Sequence, residues 1–133
     1  MDWSRYLGVA GRVLVCLIFL FSGVNKILNF DATAARMADA GMPFAPLFLV
    51  GAIGLELVGS LLVITGLQIQ MGALMLLAFL LPATFIFHPF WQFEGQQQAI
   101  ERIQFMKNLA ITGALLGLVA QGRRVTLLKS DIQ

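Results

Sequence analysis

Charged residues are scarce in this chain. Only 12% of its 133 residues are charged and 59% are hydrophobic, whereas a soluble domain carries about 25% charged residues. Between Ala40 and Phe93 the only Asp, Glu, Lys or Arg is Glu56. The net charge of +2 is small and spread along the chain, which argues against a surface for nucleic acid. The composition indicates a membrane protein, and we expect one domain over residues 1–133.

Cysteine and histidine are each present once, as Cys16 and His88. A single cysteine excludes an intrachain disulfide and a CxxC redox pair. One thiol and one imidazole are also too few for a metal site or a bis-histidine haem built by this chain alone. We therefore expect no metal site, and redox chemistry would need an electron carrier held by another protein.

Long apolar runs predict four membrane-spanning helices. A helix needs about 20 apolar residues to cross a bilayer. Pro82 should kink the third of these helices, and Gly113 and Gly117 in the fourth form a GxxxG signature of close helix packing. The four runs occupy residues 7–28, 44–67, 71–88 and 103–120.

The stretch 31–41 is too short and too polar to span a bilayer. Asp31 is placed to cap a helix, Gly41 to end it, and Pro43 to prevent its continuation. We therefore predict a short interfacial helix here. The expected fold class is an all-α membrane protein, a bundle of four transmembrane helices with this short helix between the first and the second.

The basic residues predict how the chain is oriented in the membrane. Four spans place both termini on one side, and the positive-inside rule assigns the side richer in Lys and Arg to the cytoplasm. The side of the termini is slightly richer, so we expect cytoplasmic termini. It holds Arg5, Arg12, Arg123, Arg124 and Lys129, against Lys26, Arg36, Arg102 and Lys107 on the opposite side.

Glu56 lies near the centre of the second span, where a charge costs about 2.5 kcal/mol or more on insertion scales. The small residues Ala52, Gly59 and Ser60 lie one turn away, so this face should pack against other helices and bury the carboxylate. Threading the spans at about 1.5 Å per residue leaves Arg12 about 8–10 Å from Glu56 in depth, and Lys26 about 15 Å. We predict a buried ion pair of Arg12 with Glu56. The alternative is that Arg12 extends to the lipid headgroups.

Polar residues also collect at the ends of three spans, on the side away from the termini. We predict that they form a substrate-binding site. Taken singly, Lys26 and Lys107 are more typical of interfacial anchors, and His88 beside Trp91 is more typical of an interfacial belt. Among titratable groups, the candidate catalytic residues are Glu56, His88 and Lys107, because carboxylate, imidazole and amine can move protons. The predicted substrate-binding residues are Asn25, Lys26, His88, Trp91, Lys107 and Asn108.

Several short motifs, in this order and spacing, resemble those of the DoxX family. They cover all four spans, and the resemblance implies a small bacterial inner (plasma) membrane protein with a four-helix core. Relatives in this family include the small subunit of a thiosulfate:quinone oxidoreductase and proteins associated with thiol-stress defence. The motifs are Arg12 with FSGVNK at 21–26, Gly41-Met42-Pro43, Glu56-Leu57, FHPFW at 87–91 and FMKNL at 105–109.

The resemblance favours a quinone- or sulfur/redox-linked membrane subunit with a polar site inside the bilayer. Quinone is then the candidate cofactor, and a partner redox subunit would supply the electrons, since this chain offers no carrier site. Two alternatives stay open. One is a small proton-coupled carrier or permease, which at this size would act as a homo-oligomer. The other is a non-catalytic assembly or scaffold protein, so the sequence leaves open whether the chain is an enzyme.

Overall fold

The structure is a computed structural model and describes residues 2–132. Within that range the chain is all helical, without a strand. Four of its helices are long and apolar enough to cross a membrane, and a short helix lies between the first and the second. The predicted fold class is confirmed. The helices are α1 (Trp3–Leu28), α2 (Phe30–Asp39), α3 (Ala45–Thr65), α4 (Ile69–Phe87) and α5 (Gly95–Ser130), with a 3₁₀ turn at Phe90–Gln92 before α5.

The last helix differs most from its expected bounds. The predicted span covered 103–120, whereas α5 runs from Gly95 to Ser130. Its additional turns carry Gln, Glu, Arg and Lys, which are good helix formers but give no hydropathy signal. Hydropathy therefore located only the apolar part of a longer helix.

The turns around α2 follow the predicted positions with one exception. Gly41 has φ +89° after the end of α2, a conformation that glycine adopts without the strain of a Cβ. Asn29, and not Asp31, occupies the N-cap position of α2. Asp31 lies in the first turn instead, where its carboxylate interacts favourably with the positive end of the helix dipole.

The helices pack in the order α1, α3, α4, α5, and α5 returns to touch α1 through a small interface. The backbones of α3 and α4 come closest at Gly59 and Gly72, since a Cβ on Gly72 would lie 2.6 Å from the carbonyl oxygen of Gly59. The main core contains Cys16, Phe19, Val63, Ala73, Leu76, Leu77, Leu80 and Leu115.

The GxxxG pair of α5 does not lie at such a contact. A Cβ added to Gly113 or to Gly117 would meet no atom of a neighbouring helix within 4 Å among the residues described. Within that part of the chain the pair therefore makes no close helix contact, contrary to expectation.

The short helix α2 packs against the first half of α3. Met37 of α2 is buried against Ala45 and Leu49 of α3, and Phe30 and Phe87 border this second cluster. The beginning of α3 is therefore covered by α2, and α1 packs on α3 further along the helix. This offset between α1 and α3 determines which residue of α1 lies beside Glu56.

A buried ion pair as the candidate functional site

Glu56 is fully buried in the bundle, as its small neighbours predicted. Its partner is Lys26 of α1, whose Nζ lies 3.0 Å from Oε2 and 3.3 Å from Oε1. Only the contact with Oε1 has hydrogen-bond geometry; Oε2 accepts no hydrogen bond from any described residue. The pair is therefore held by charge and by the hydrogen bond from Lys26 to Oε1.

The predicted ion pair of Arg12 with Glu56 is wrong, because the helices are staggered. Gly23 packs directly on Glu56 and Leu57: a Cβ at Gly23 would lie 2.7 Å from the Leu57 side chain and 3.6 Å from the Glu56 Cβ. Lys26 follows Gly23 by one turn, so it reaches Glu56 easily. From this level α1 continues for only about 8 Å, whereas α3 extends about 17 Å back to Ala45. Aligning the spans by their ends had placed Lys26 too far out.

Arg12 lies at the opposite end of the α1–α3 interface, beside the last turn of α3. A Cβ on Gly66 would lie 3.3 Å from the Arg12 Nη1. The Arg12 Nε is buried and has no hydrogen-bond partner in the described part of the chain. The side chain therefore neither pairs with Glu56 nor points freely into the headgroups.

Two further groups contact the Lys26 ammonium, the Ser22 hydroxyl and the Phe79 ring. Nζ donates to the hydroxyl of Ser22 one turn earlier and lies 4.8 Å from the ring centroid of Phe79 on α4. Phe79 in turn makes an edge-to-face contact with Phe19, at 6.3 Å between centroids. The Lys26 side chain is 17% exposed while that of Glu56 is 0% exposed. A ligand could therefore contact the ammonium and the Phe79 ring, and reach the carboxylate only beyond them.

A second polar contact joins α4 and α5. Asn108 Nδ2 donates to Thr84 Oγ1 over 3.1 Å, and the buried Thr84 hydroxyl donates to the Leu80 carbonyl over 2.7 Å. Thr112 donates to the backbone carbonyl of Asn108 over 2.8 Å. The amide is thus half-buried and already hydrogen-bonded to its neighbouring helix.

His88 belongs to a third group, at the end of α4. Its Nδ1 lies 2.8 Å from Glu101 Oε2, and Glu101 Oε1 accepts from Gln97 Nε2 over 3.0 Å. The His88 and Glu101 side chains are 30% and 16% exposed. Beside this pair Trp91 packs edge to face against Phe90 and Phe105, and at a tilt of 46° against Phe85.

The remaining predicted site residues lie on the exterior. Asn25 is exposed and accepts a hydrogen bond from Asn29. Trp91 is 52% exposed, and Lys107 is exposed beside Arg102 and Met106. The hydrogen bonds thus divide the six predicted binding residues into separate groups, and their role in substrate binding stays a prediction. The same holds for Glu56, His88 and Lys107 as catalytic candidates.

Sequence reasoning overlooked Phe79 and Glu101. Phe79 resembles any other apolar residue of its helix, and only the packing of α4 beneath Lys26 singles it out. Glu101 looked like one of several loop charges, because its helix was expected to begin at residue 103. Its spacing from Gln97, one turn of α5, becomes visible once that helix is known to start at Gly95.

Fold and site together define a multi-pass membrane protein with a charged pair buried between its spans. A family model for DoxX matches residues 8–89. This match runs from α1 to the end of α4 and includes Lys26, Glu56 and His88. The chain belongs to the DoxX family.

Two proteins of Escherichia coli (strain K12) are similar to the chain along most of its length. Inner membrane protein YphA is 32% identical over 111 residues, which is 84% of this chain and 79% of the relative. Inner membrane protein YqjF is 32% identical over 114 residues, covering 86% and 82%. No solved structure matches the chain significantly. With four apolar helices, these relatives identify a multi-pass inner membrane protein.

Proposed function

We propose that this protein is a quinone- or sulfur/redox-linked membrane subunit that binds a small ligand at the Lys26–Glu56 pair. The observation that supports this is the asymmetry of the pair. A fully buried carboxylate is joined to an ammonium that remains partly accessible. Ionisable groups within membrane spans are costly and by default mark ligand or proton sites.

The residues around Lys26 suit the head group of a quinone. The ammonium can donate a hydrogen bond to a carbonyl oxygen, and Phe79 offers an aromatic face 4.8 Å from Nζ against which a flat ring can lie. The Glu56 carboxylate lies directly behind Lys26, with Oε2 3.0 Å from Nζ, and can hold a proton there. A bound quinone would supply two-electron, two-proton redox chemistry, and a partner redox subunit would deliver the electrons.

Quinone binding can be tested on the purified protein. Wild type is extracted with its native lipids, its quinone content is measured, and a short-chain quinone is titrated while thermal unfolding is followed. We expect bound quinone and a saturable rise in Tm. Phe79→Leu keeps the ion pair and removes the aromatic face. It should therefore weaken the apparent affinity for quinone about tenfold or more.

Lys129→Met is the matched control, since it removes an exposed lysine near the end of α5 and leaves the Lys26 site intact. It should behave as wild type. If no quinone co-purifies and added quinone leaves the Tm of wild type unchanged, the proposal fails. Equal responses of wild type and Phe79→Leu would place a bound quinone elsewhere and contradict this site.

A scaffold role is the second candidate, and one observation favours it. Lys26 contacts Ser22, Glu56 and Phe79 together, so it joins α1 to α3 and α4 even without a ligand. In that case Lys26→Met and Glu56→Gln would lower stability, while growth or redox phenotypes would follow protein abundance alone. Comparing the phenotype with the amount of folded protein in membranes separates the two.

A further inference from the structure

A cavity lies between α1, α3 and α5, at the end of the bundle that holds the termini. Its volume is about 430 Å³. The lining includes two basic residues of α1, Arg5 and Arg12, together with Thr65 of α3 and Gln121 of α5, and among the described residues it includes no carboxylate. The nearest acid in sequence, Asp2, accepts a hydrogen bond from Ser4 and is not part of the lining.

Arg12 is the residue of this cavity that calls for a partner. Its side chain is half-buried, its Nε is fully buried, and among residues 2–132 it has neither a hydrogen bond nor an ion pair. A guanidinium carries five donors in one plane, and a buried donor without an acceptor is unfavourable. The end of the α3 dipole near Gly66 favours a cation there, but no α3 carbonyl within the described range accepts a hydrogen bond from Arg12.

The other polar groups of the lining define what the cavity can accept. Thr65 already donates its hydroxyl proton to the Leu61 carbonyl over 2.7 Å, and Ser4 donates its own to Asp2 over 2.6 Å. The available donors are therefore those of Arg5, Arg12 and Gln121. Donors on two guanidinium groups and an amide suit a ligand that carries several acceptor oxygens and negative charge. Arginine pairs with phosphate through two parallel hydrogen bonds.

We propose that this cavity binds a phosphate group through Arg12 and Arg5, with Gln121 as a third donor. The exposed Trp3 and Tyr6 on the same part of α1 are typical of the membrane–water interface. The phosphate group could therefore belong to a lipid headgroup or to a free phosphate ion. The site is separate from the Lys26–Glu56 pair, so it stands or falls independently of the redox proposal.

The test compares wild type with three variants in a detergent and buffer free of phosphate groups. Thermal unfolding is followed while inorganic phosphate, dioctanoyl phosphatidic acid or dioctanoyl glycerol is added. Wild type should show a saturable rise in Tm with a phosphate-bearing ligand and none with the phosphate-free diglyceride. Arg12→Gln should weaken the apparent affinity at least tenfold. Arg36→Gln removes an exposed arginine of α2 at the other end of the bundle and should leave the affinity unchanged.

Gly8→Leu covers the case in which Arg12→Gln does not fold. A Cβ at Gly8 has only the Gln121 amide nearby, at 4.0 Å, so a leucine should fill the cavity while both arginines remain. It should abolish the Tm response. A response to both ligands identifies a free phosphate site, and a response to the lipid alone identifies a headgroup site. No saturable response in wild type, or equal responses of wild type, Arg12→Gln and Gly8→Leu, would overturn the proposal.

Discussion

Two basic residues of α1 face the same neighbouring helix, and the structure provides for them in opposite ways. Lys26 meets a buried carboxylate, a hydroxyl and an aromatic ring. Arg12 lies against the glycine that ends α3, and no described residue accepts a hydrogen bond from it. Whether a basic residue of α1 has a partner in the chain is therefore decided by the position of Glu56, the single acid of α3, and not by whether the residue is lysine or arginine. At the Lys26 end of the α1–α3 interface the cation is paired within the chain, and at the Arg12 end the cation is suited to an anion from outside the chain.

The largest loss of stability should follow from breaking the Lys26–Glu56 pair. Lys26→Met leaves the Glu56 carboxylate buried without its cation, and removing one partner of a buried pair costs about 3–5 kcal/mol. Chemical unfolding in detergent, followed by tryptophan fluorescence, measures this loss. Combining it with Glu56→Gln should recover much of the stability, because no uncompensated charge then remains. A single variant as stable as wild type would show that the pair does not form.

A smaller effect should come from the glycine that sets the helix distance at the same end. Gly23→Ala forces the Leu57 side chain to move, since the new Cβ would lie 2.7 Å from it. Overpacking of this kind costs about 1–3 kcal/mol. Gly11→Ala is the matched control near Arg12, where a new Cβ would meet no described atom of another helix within 4 Å. It should be neutral or stabilising by up to about 1 kcal/mol, and the reverse order of the two variants would contradict the packing described here.

The pair of His88 with Glu101 tests whether burial is what makes the Lys26 pair important. Both side chains are partly exposed, and exposed pairs contribute about 0–1 kcal/mol. Glu101→Gln should therefore lower the free energy of unfolding by less than about 1 kcal/mol. Lys107→Met, at an exposed lysine, gives the baseline for a change without a partner. A loss from Glu101→Gln as large as that from Lys26→Met would show that burial is not the deciding factor.

The smallest change in stability is expected at Arg12, the cation without a partner among the described residues. Arg12→Met removes a cation without a protein acceptor, so without added phosphate the stability should change by less than about 1 kcal/mol in either direction. The same unfolding measurement as for Lys26→Met permits a direct comparison. A loss of several kcal/mol in phosphate-free buffer would mean that Arg12 has a partner within the protein.

The sequence was sufficient for the fold because hydropathy alone determines which segments can cross a bilayer. The four spans follow from it. The short helix was predicted from the turn residues Gly41 and Pro43, and the burial of Glu56 from the small residues Gly59 and Ser60. The ends of α5 did not follow, since a polar helix outside the membrane leaves no hydropathy signal. The GxxxG motif was equally insufficient, because Gly113 and Gly117 have no close neighbour on another helix among the described residues.

The partner of Glu56 could not be predicted from depth along the spans. That prediction assumed that α1 and α3 begin and end at the same levels. In the structure α2 packs on the first part of α3, through Met37 and Leu49, and Lys26 is the cation that reaches Glu56. The offset between the two helices depends on tertiary packing, and no local pattern in the sequence indicates it. The cation beside Glu56 was therefore chosen wrongly, although the need for one was recognised.

A pair of double-mutant cycles tests the choice of partner most directly. Unfolding free energies are measured for Lys26→Met, Arg12→Met and Glu56→Gln, and for each lysine or arginine variant combined with the Glu56 variant. We expect Lys26 and Glu56 to be coupled by about 2 kcal/mol or more, and Arg12 and Glu56 to be additive within about 0.5 kcal/mol. Additive effects at Lys26 together with strong coupling at Arg12 would contradict the ion pair on which the candidate site is built.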